Sequence, residues 1–161
     1  MPDLTVVATG RPAELLLVED NYGDVLLTRE AFRSARVSNN LAVAGDGEQA
    51  LAMLRREDMY FNQPRPDLIL LDLNLPRLDG REVLTAIKKD PDLKRIPVIV
   101  LTSSKADIDI LKSYELRANG YIVKPVNFER LQEIVASLED FWFSVVVLAP
   151  AANHCEQSNA A

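Results

Sequence analysis

The chain has 161 residues, 48% of them hydrophobic, and a formal net charge of −6. This length suits one folded domain with short tails, and the apolar share is too high for a disordered chain. The negative charge and the lack of a basic stripe argue against nucleic acid as a partner, because phosphate backbones are held by clustered Lys and Arg.

Residues 1–12 read as a flexible leader, and no basic region followed by an apolar stretch marks a secretory signal. Leu15–Val18 is a continuous apolar run and predicts a buried strand, followed by a helix over Asp24–Arg36 with Val25, Leu26, Ala31 and Phe32 on one face. Leu41–Ala44 predicts a second strand, and Gly47–Arg56 a helix packing through Ala50, Leu51 and Leu54. Leu68–Leu71 is the clearest strand, and Gly80–Lys89 is helical through Val83, Leu84 and Ile87. Pro97–Leu101 reads as a strand, Lys105–Arg117 as a helix, Tyr121–Val123 as a short strand and Phe128–Phe143 as a closing helix. Apolar runs without alternation are the mark of parallel strands covered on both faces. Strands alternating with helices imply right-handed crossovers and a three-layer α/β sandwich. The repeated strand–helix units fit the flavodoxin-like (βα)5 fold with sheet order 2-1-3-4-5. The folded unit is expected over residues 13–140, with a C-terminal extension over 141–161.

In such sheets function gathers outside the carboxyl ends of the strands. Glu19 and Asp20 follow the first predicted strand, Asp72 the third, Thr102 the fourth and Lys124 the fifth. These strands are neighbours in the expected order, so the fold brings distant residues to one rim. Carboxylates crowded in one cleft repel each other, and a hard cation such as Mg²⁺ relieves that repulsion through oxygen ligands. Asp20 and Asp72 are expected as direct ligands, Glu19 as one acting through water, and the backbone carbonyl of Asn74 as a further ligand. A carboxylate can also act as a nucleophile and form an aspartyl phosphate. Asp72 is the expected phosphoacceptor, with Lys124 and Thr102 stabilising the phosphoryl oxygens. Taken singly, each residue has an ordinary structural reading: an acidic helix cap, a hydroxyl at a sheet rim, a lysine before a proline. Their joint placement at neighbouring strand ends outweighs those readings.

The segments Val18-Glu19-Asp20-Asn21, Leu70-Leu71-Asp72-Leu73-Asn74-Leu75-Pro76, Asp79-Gly80, Leu101-Thr102-Ser103-Ser104 and Lys124-Pro125 resemble the receiver domains of two-component response regulators. The resemblance covers about Glu14 to Asp140. It implies phosphorylation of Asp72 by a sensor histidine kinase with Mg²⁺, slow hydrolysis, and a switch in which Thr102 turns toward the phosphoryl group and Tyr121 rotates inward. It also implies a cis Lys124–Pro125 bond. The segment Met59–Pro66 and the apolar extension further resemble the stand-alone regulators that pair with bacterial and cyanobacterial phytochrome kinases. That resemblance implies a phytochrome-type kinase as partner.

Phe141, Trp142, Phe143, Val145 and Val147 have no place in a core complete by about residue 140. Apolar patches of that kind mark partner surfaces, so a homodimer built on the last helix and the tail is expected. The alternative is that the tail folds back on its own subunit. With no output domain in view, the signal is expected to pass to a downstream protein or phosphotransfer partner.

Other readings fare less well. Gly45-Asp46-Gly47-Glu48-Gln49-Ala50 fits a dinucleotide fingerprint but follows the second strand instead of the first. A haloacid-dehalogenase-like, Mg-dependent phosphatase would need a second acid two positions after the nucleophile, where this chain has Asn74. A dimeric scaffold that is not phosphorylated would not need the set Asp20, Asp72, Thr102 and Lys124. His154 and Cys155 are two tail residues and do not make a metal site, which needs three or four convergent ligands. The single cysteine fits a reducing cytoplasm. The longest apolar segment, Phe141–Ala152, is too short to span a bilayer.

Overall fold

The computed structural model describes residues 11–124 and 126–144, and side chains as far as residue 140. The chain alternates β1 (Ala13–Val18), α1 (Tyr22–Arg33), β2 (Asn39–Ala44), α2 (Gly47–Leu54), β3 (Leu68–Asp72), α3 (Gly80–Lys89), β4 (Val98–Thr102), α4 (Lys105–Ser113), β5 (Gly120–Val123) and α5 (Phe128–Ser144). The strands form one parallel sheet in the order β2-β1-β3-β4-β5. This is the flavodoxin-like (βα)5 order expected from the strand–helix alternation.

Side chains alternate across each strand, and the sheet divides the apolar residues accordingly. Leu16, Val18, Ile69, Leu71, Val98 and Val100 face α2, α3 and α4, where Ala50, Leu54, Val83, Leu84, Ile87 and Leu111 meet them. Leu15, Leu17, Leu68 and Leu70 face α1 and α5, against Val25, Phe32, Leu131, Val135 and Leu138. Each fully buried leucine of this kind contributes about 1.5–3 kcal/mol relative to exposure. Both faces are covered, which is why the strands read as unbroken apolar runs.

Several boundaries differ from expectation. The first helix starts at Tyr22 instead of Asp24, because the Asn21 side chain caps it by accepting a bond from the Asp24 amide at 2.9 Å. Its buried face includes Thr28, and Leu26, expected on that face, is 47% exposed. Thr28 tolerates burial by donating to the Asp24 carbonyl at 2.8 Å. The second helix stops at Leu54 and Arg56 turns left-handed, with φ of 56°. The fourth helix ends at Ser113 instead of Arg117. Glu115 adopts φ of 60°, and the Leu116 amide donates to the Leu111 carbonyl at 2.9 Å, closing a Schellman turn without glycine. The strands gain a residue or two at one end, and β3 and β4 take in Asp72 and Thr102.

The segment before β3 is tied down. Tyr60 packs on the core and its hydroxyl accepts from Gln49 Nε2 at 3.1 Å, while Arg65 pairs with Asp92 at 2.8 Å. Glu139, at the end of the expected folded unit, is only 3% exposed. Its Oε2 accepts the Val37 amide at 2.7 Å and so fastens α5 to the turn after α1. The fingerprint-like Gly45–Ala50 segment is a helix cap: Asp46 accepts from the Gln49 amide, and Gly47 is required because a Cβ there would meet the Leu78 carbonyl oxygen at 2.0 Å. No helix among the described residues is long and apolar enough to cross a membrane.

Candidate functional site

The sheet register sets the site. Asp72 ends β3 opposite Leu101, and Thr102 ends β4 opposite Val123. Lys124 follows directly, its amide donating to the Thr102 carbonyl at 2.7 Å, and Glu19 leaves β1 with its amide on the Ala44 carbonyl at 2.9 Å. Each side chain therefore leaves from the last rung of a strand.

The Lys124 ammonium donates to Glu19 Oε1 at 2.8 Å, Asp24 Oδ2 at 3.0 Å and Asp72 Oδ2 at 3.1 Å. The second oxygens of Asp72 and Glu19 are also partnered. Asp72 Oδ1 accepts the Asn74 amide at 3.0 Å, and Glu19 Oε2 accepts the Asn21 amide at 3.2 Å. Glu19 and Asp72 are buried, each 3% exposed, whereas Asp20 is open to solvent.

Glu19, Asp20 and Asp72 offer one oxygen each within 4.8 Å of one another. Burial pushes the Glu19 carboxyl up to about 7, against the pull of Lys124, with neighbouring Asp72 adding to the rise. The Lys124 ammonium is desolvated too, but its bonds to Glu19 and Asp24 outweigh that and hold its pKa above the usual lysine value. Three carboxylates (Glu19, Asp24 and Asp72) thus share one ammonium, and Asp20 adds a fourth negative charge beside Glu19 and Asp72. The cluster is short of positive charge, and its all-oxygen donor set fits a hard divalent cation.

Thr102 is fully buried and faces the start of α4. Its hydroxyl lies 3.2 Å from Asp107 Oδ2 and 3.4 Å from the Ser104 carbonyl, and it accepts the Ser104 amide at 3.2 Å. Tyr121 is half-buried on β5, where its hydroxyl accepts the Ala118 amide at 3.0 Å and Lys112 Nζ sits 5.1 Å from the ring centre. Ser103 Oγ reaches Asn74 Oδ1 at 3.2 Å and bridges the loops after β4 and β3. A cavity of about 500 Å³ lies between α1 and α5, with Glu19, Asp24 and Lys124 among its lining and Phe32 and Val135 on its apolar wall.

The Asp79–Gly80 pair also belongs to this rim. A Cβ on Gly80 would sit 2.4 Å from the Asp72 carbonyl oxygen and 2.4 Å from Leu73 Cα, so only glycine lets α3 start there. Asp79 and Glu82 close that start with a capping box.

Asp24 and Asp107 were not among the residues singled out from sequence. Both lie in the first turn of a helix, where an acid is favoured by the helix dipole and draws no notice. Their signal was position, each a few residues beyond a strand end that carries a site residue. The cis Lys124–Pro125 bond and Val145, Val147, His154 and Cys155 lie outside the described residues, as do the side chains of Phe141, Trp142 and Phe143.

Residues 15–136 match the family model for the response regulator receiver domain. The chain is 48% identical over 141 residues to response regulator Rcp1 of Synechocystis sp. (strain ATCC 27184 / PCC 6803 / Kazusa), covering 88% of this chain and 95% of that protein. The structure of the Mn²⁺-bound form of Rcp1 aligns with a TM-score of 0.73 at 47% identity, over 83% of this chain and 96% of that one. The phosphorylated cyanobacterial phytochrome response regulator RcpA aligns with a TM-score of 0.75 at 50% identity over the same shares, 83% and 96%. The receiver domain of the sensor histidine kinase PA1611 from Pseudomonas aeruginosa PAO1, with magnesium in its active-site cleft, aligns at 0.64 with 29% identity, over 81% of this chain and 99% of that one.

Proposed function

The chain belongs to the response regulator receiver family, and from that premise we propose that Asp72 accepts a phosphoryl group from a phytochrome-type sensor histidine kinase. A receiver domain is a phosphoacceptor in two-component signalling, with a histidine kinase as its source, and not an enzyme that turns over a free substrate. The observation that carries the assignment of Asp72 is the buried triangle of Asp72, Glu19 and Lys124, with Lys124 Nζ 3.1 Å from the proposed nucleophile.

In the transfer, an Asp72 oxygen attacks phosphorus, the O–P bond forms, and the phosphohistidine N–P bond breaks with its electron pair left on the imidazole. Lys124 already touches Asp72 and offers charge to the phosphoryl oxygens. The Asn74 amide holds the other carboxylate oxygen and fixes the attack direction. Thr102 is a further donor on that rim and must turn to reach it, and Tyr121 follows on β5 as the second switch residue. Glu19, Asp20, Asp72 and the Asn74 carbonyl would hold Mg²⁺, which supplies positive charge against the phosphoryl oxygens when bound. The oxygen-only donor set supports Mg²⁺ over softer metals.

The phytochrome assignment is supported by the likeness to RcpA and Rcp1 over most of both chains. Residues 141–161, including Phe141, Trp142, Phe143, Val145 and Val147, form the proposed homodimer surface, beyond a receiver of residues 13–140. The output passes to a downstream protein or phosphotransfer partner.

The test is intact mass after incubation with Mg²⁺ and acetyl phosphate. One phosphoryl mass is expected on the parent, not gained when a chelator is present from the start, and absent from Asp72→Asn. A gain that persists in Asp72→Asn would move the nucleophile elsewhere.

A further inference from the structure

Thr102 cannot serve two acceptors. A hydroxyl has one proton to donate, and here that proton has a carboxylate acceptor, Asp107 Oδ2 at 3.2 Å, with the Ser104 carbonyl farther off at 3.4 Å. Ionised acceptors bind a donor more strongly than neutral ones, and Thr102 has no access to solvent, so no water competes for its proton, although Asp107 itself is partly exposed. A phosphoryl group on Asp72 would draw on the same proton. The two bonds exclude each other by stoichiometry.

We propose that Asp107 is a positioning residue that holds the Thr102 hydroxyl off the phosphoryl site, so that phosphorylation of Asp72 must displace it. The inference rests on the reading of Asp72 as the phosphoacceptor. Asp107 is well placed for the role. It is the third residue of α4, its amide donates to the Ser104 carbonyl at 3.1 Å, and its charge sits in the helix's first turn. Ser104 stands at the N-cap position yet makes no capping bond with its side chain. The start of α4 is therefore tethered to β4 through the Thr102–Asp107 bond and the Ser104 amide. When Thr102 turns away, Asp107 loses its donor and the first turn of α4 is released. The hydroxyl's choice of acceptor is in this way written into the position of a surface helix.

The reaction that reads this out is transfer from acetyl phosphate. An Asp72 oxygen bonds to phosphorus, the donor's P–O bond breaks, and acetate leaves with the electron pair; no proton moves. The initial rate of phosphoryl gain is followed by intact mass in the full chain with Mg²⁺. Asp107→Ala is expected to raise that rate about threefold to tenfold, the size of one competing hydrogen bond removed. Asp107→Asn keeps a neutral acceptor and should fall between parent and alanine. The decisive comparison is in a Thr102→Val background, where no hydroxyl remains to be held. There Asp107→Ala should change nothing.

A rate unchanged in Asp107→Ala, or raised equally with and without the Thr102 hydroxyl, would overturn the inference and leave Asp107 an ordinary first-turn acid. Should Asp107→Ala unfold, the Asp107→Asn arm alone decides, by the same dependence on the Thr102 hydroxyl. A parent that gains no phosphoryl mass on Asp72 would instead sink the functional reading itself.

Discussion

Lys124 faces Glu19, Asp24 and Asp72 at 2.8–3.1 Å, and two of those carboxylates are buried. Breaking such a buried set from the cationic side leaves uncompensated charge, which costs about 3–5 kcal/mol for a fully buried pair. The site opens to solvent on the Asp24 side, so Lys124→Met should lower the unfolding free energy by about 2–4 kcal/mol in chelator. Added Mg²⁺ should return part of that loss, since a cation bound only to the folded state stabilises it by mass action. Urea denaturation with and without the metal measures both. Glu19, Asp20, Asp72, Thr102 and Lys124 were legible in the sequence because each follows an apolar run that the fold converts into a strand end. Asp24 and Asp107 were not, because which partner a first-turn acid finds depends on side-chain direction, and the linear pattern does not carry that.

Gly80 shows how an element's start can serve a site. Its missing side chain lets α3 begin against the Asp72 backbone. Gly80→Ala should destabilise by about 1–3 kcal/mol, the range for overpacking a close contact, and should also slow phosphoryl gain on Asp72. A thermal melt together with the labelling rate tests the pair. Asp90, at the end of α3, accepts the Asp92 and Leu93 amides at 2.8 and 3.1 Å, and these bonds hold its carboxyl below the usual aspartate range. Its stabilising effect is present above the unfolded-state value, near pH 4, and is lost as pH falls through the lower folded value. The melting-temperature gap between parent and Asp90→Ala should therefore be full at pH 6 and shrink on acidification below about pH 4. Element order and both cores were readable from periodicity. Helix ends were not: the stop at Ser113 depends on Glu115 taking a left-handed turn that glycine normally signals.

At the scale of the whole chain, α5 extends to Ser144, and Glu139 locks it to the turn after α1. Truncation after Asp140 would thus remove the last turn of a docked helix as well as the tail. Truncation after Ser144, combined with Phe141→Ser, Trp142→Ser and Phe143→Ser, spares the Glu139 contact and removes the apolar surface proposed for pairing. Light scattering should then report the mass of one chain where the parent is expected to give two; an unchanged dimer would place the interface elsewhere. The two-sided sheet was legible because runs such as Leu68–Leu71 carry no polar alternation. The proposed assembly rests on an apolar segment with no place in the core, since a single chain's pattern does not say what covers it.

The three bonds of Lys124 span 105, 100 and 52 positions of the chain. During synthesis, therefore, Glu19 and Asp72 are made well before the lysine that completes their site. A nascent or truncated chain that stops before Lys124 has the proposed acceptor carboxylate without its cation. On the proposed assignment, competence to be phosphorylated therefore reports that synthesis has passed β5, ahead of the helix that covers one face of the sheet.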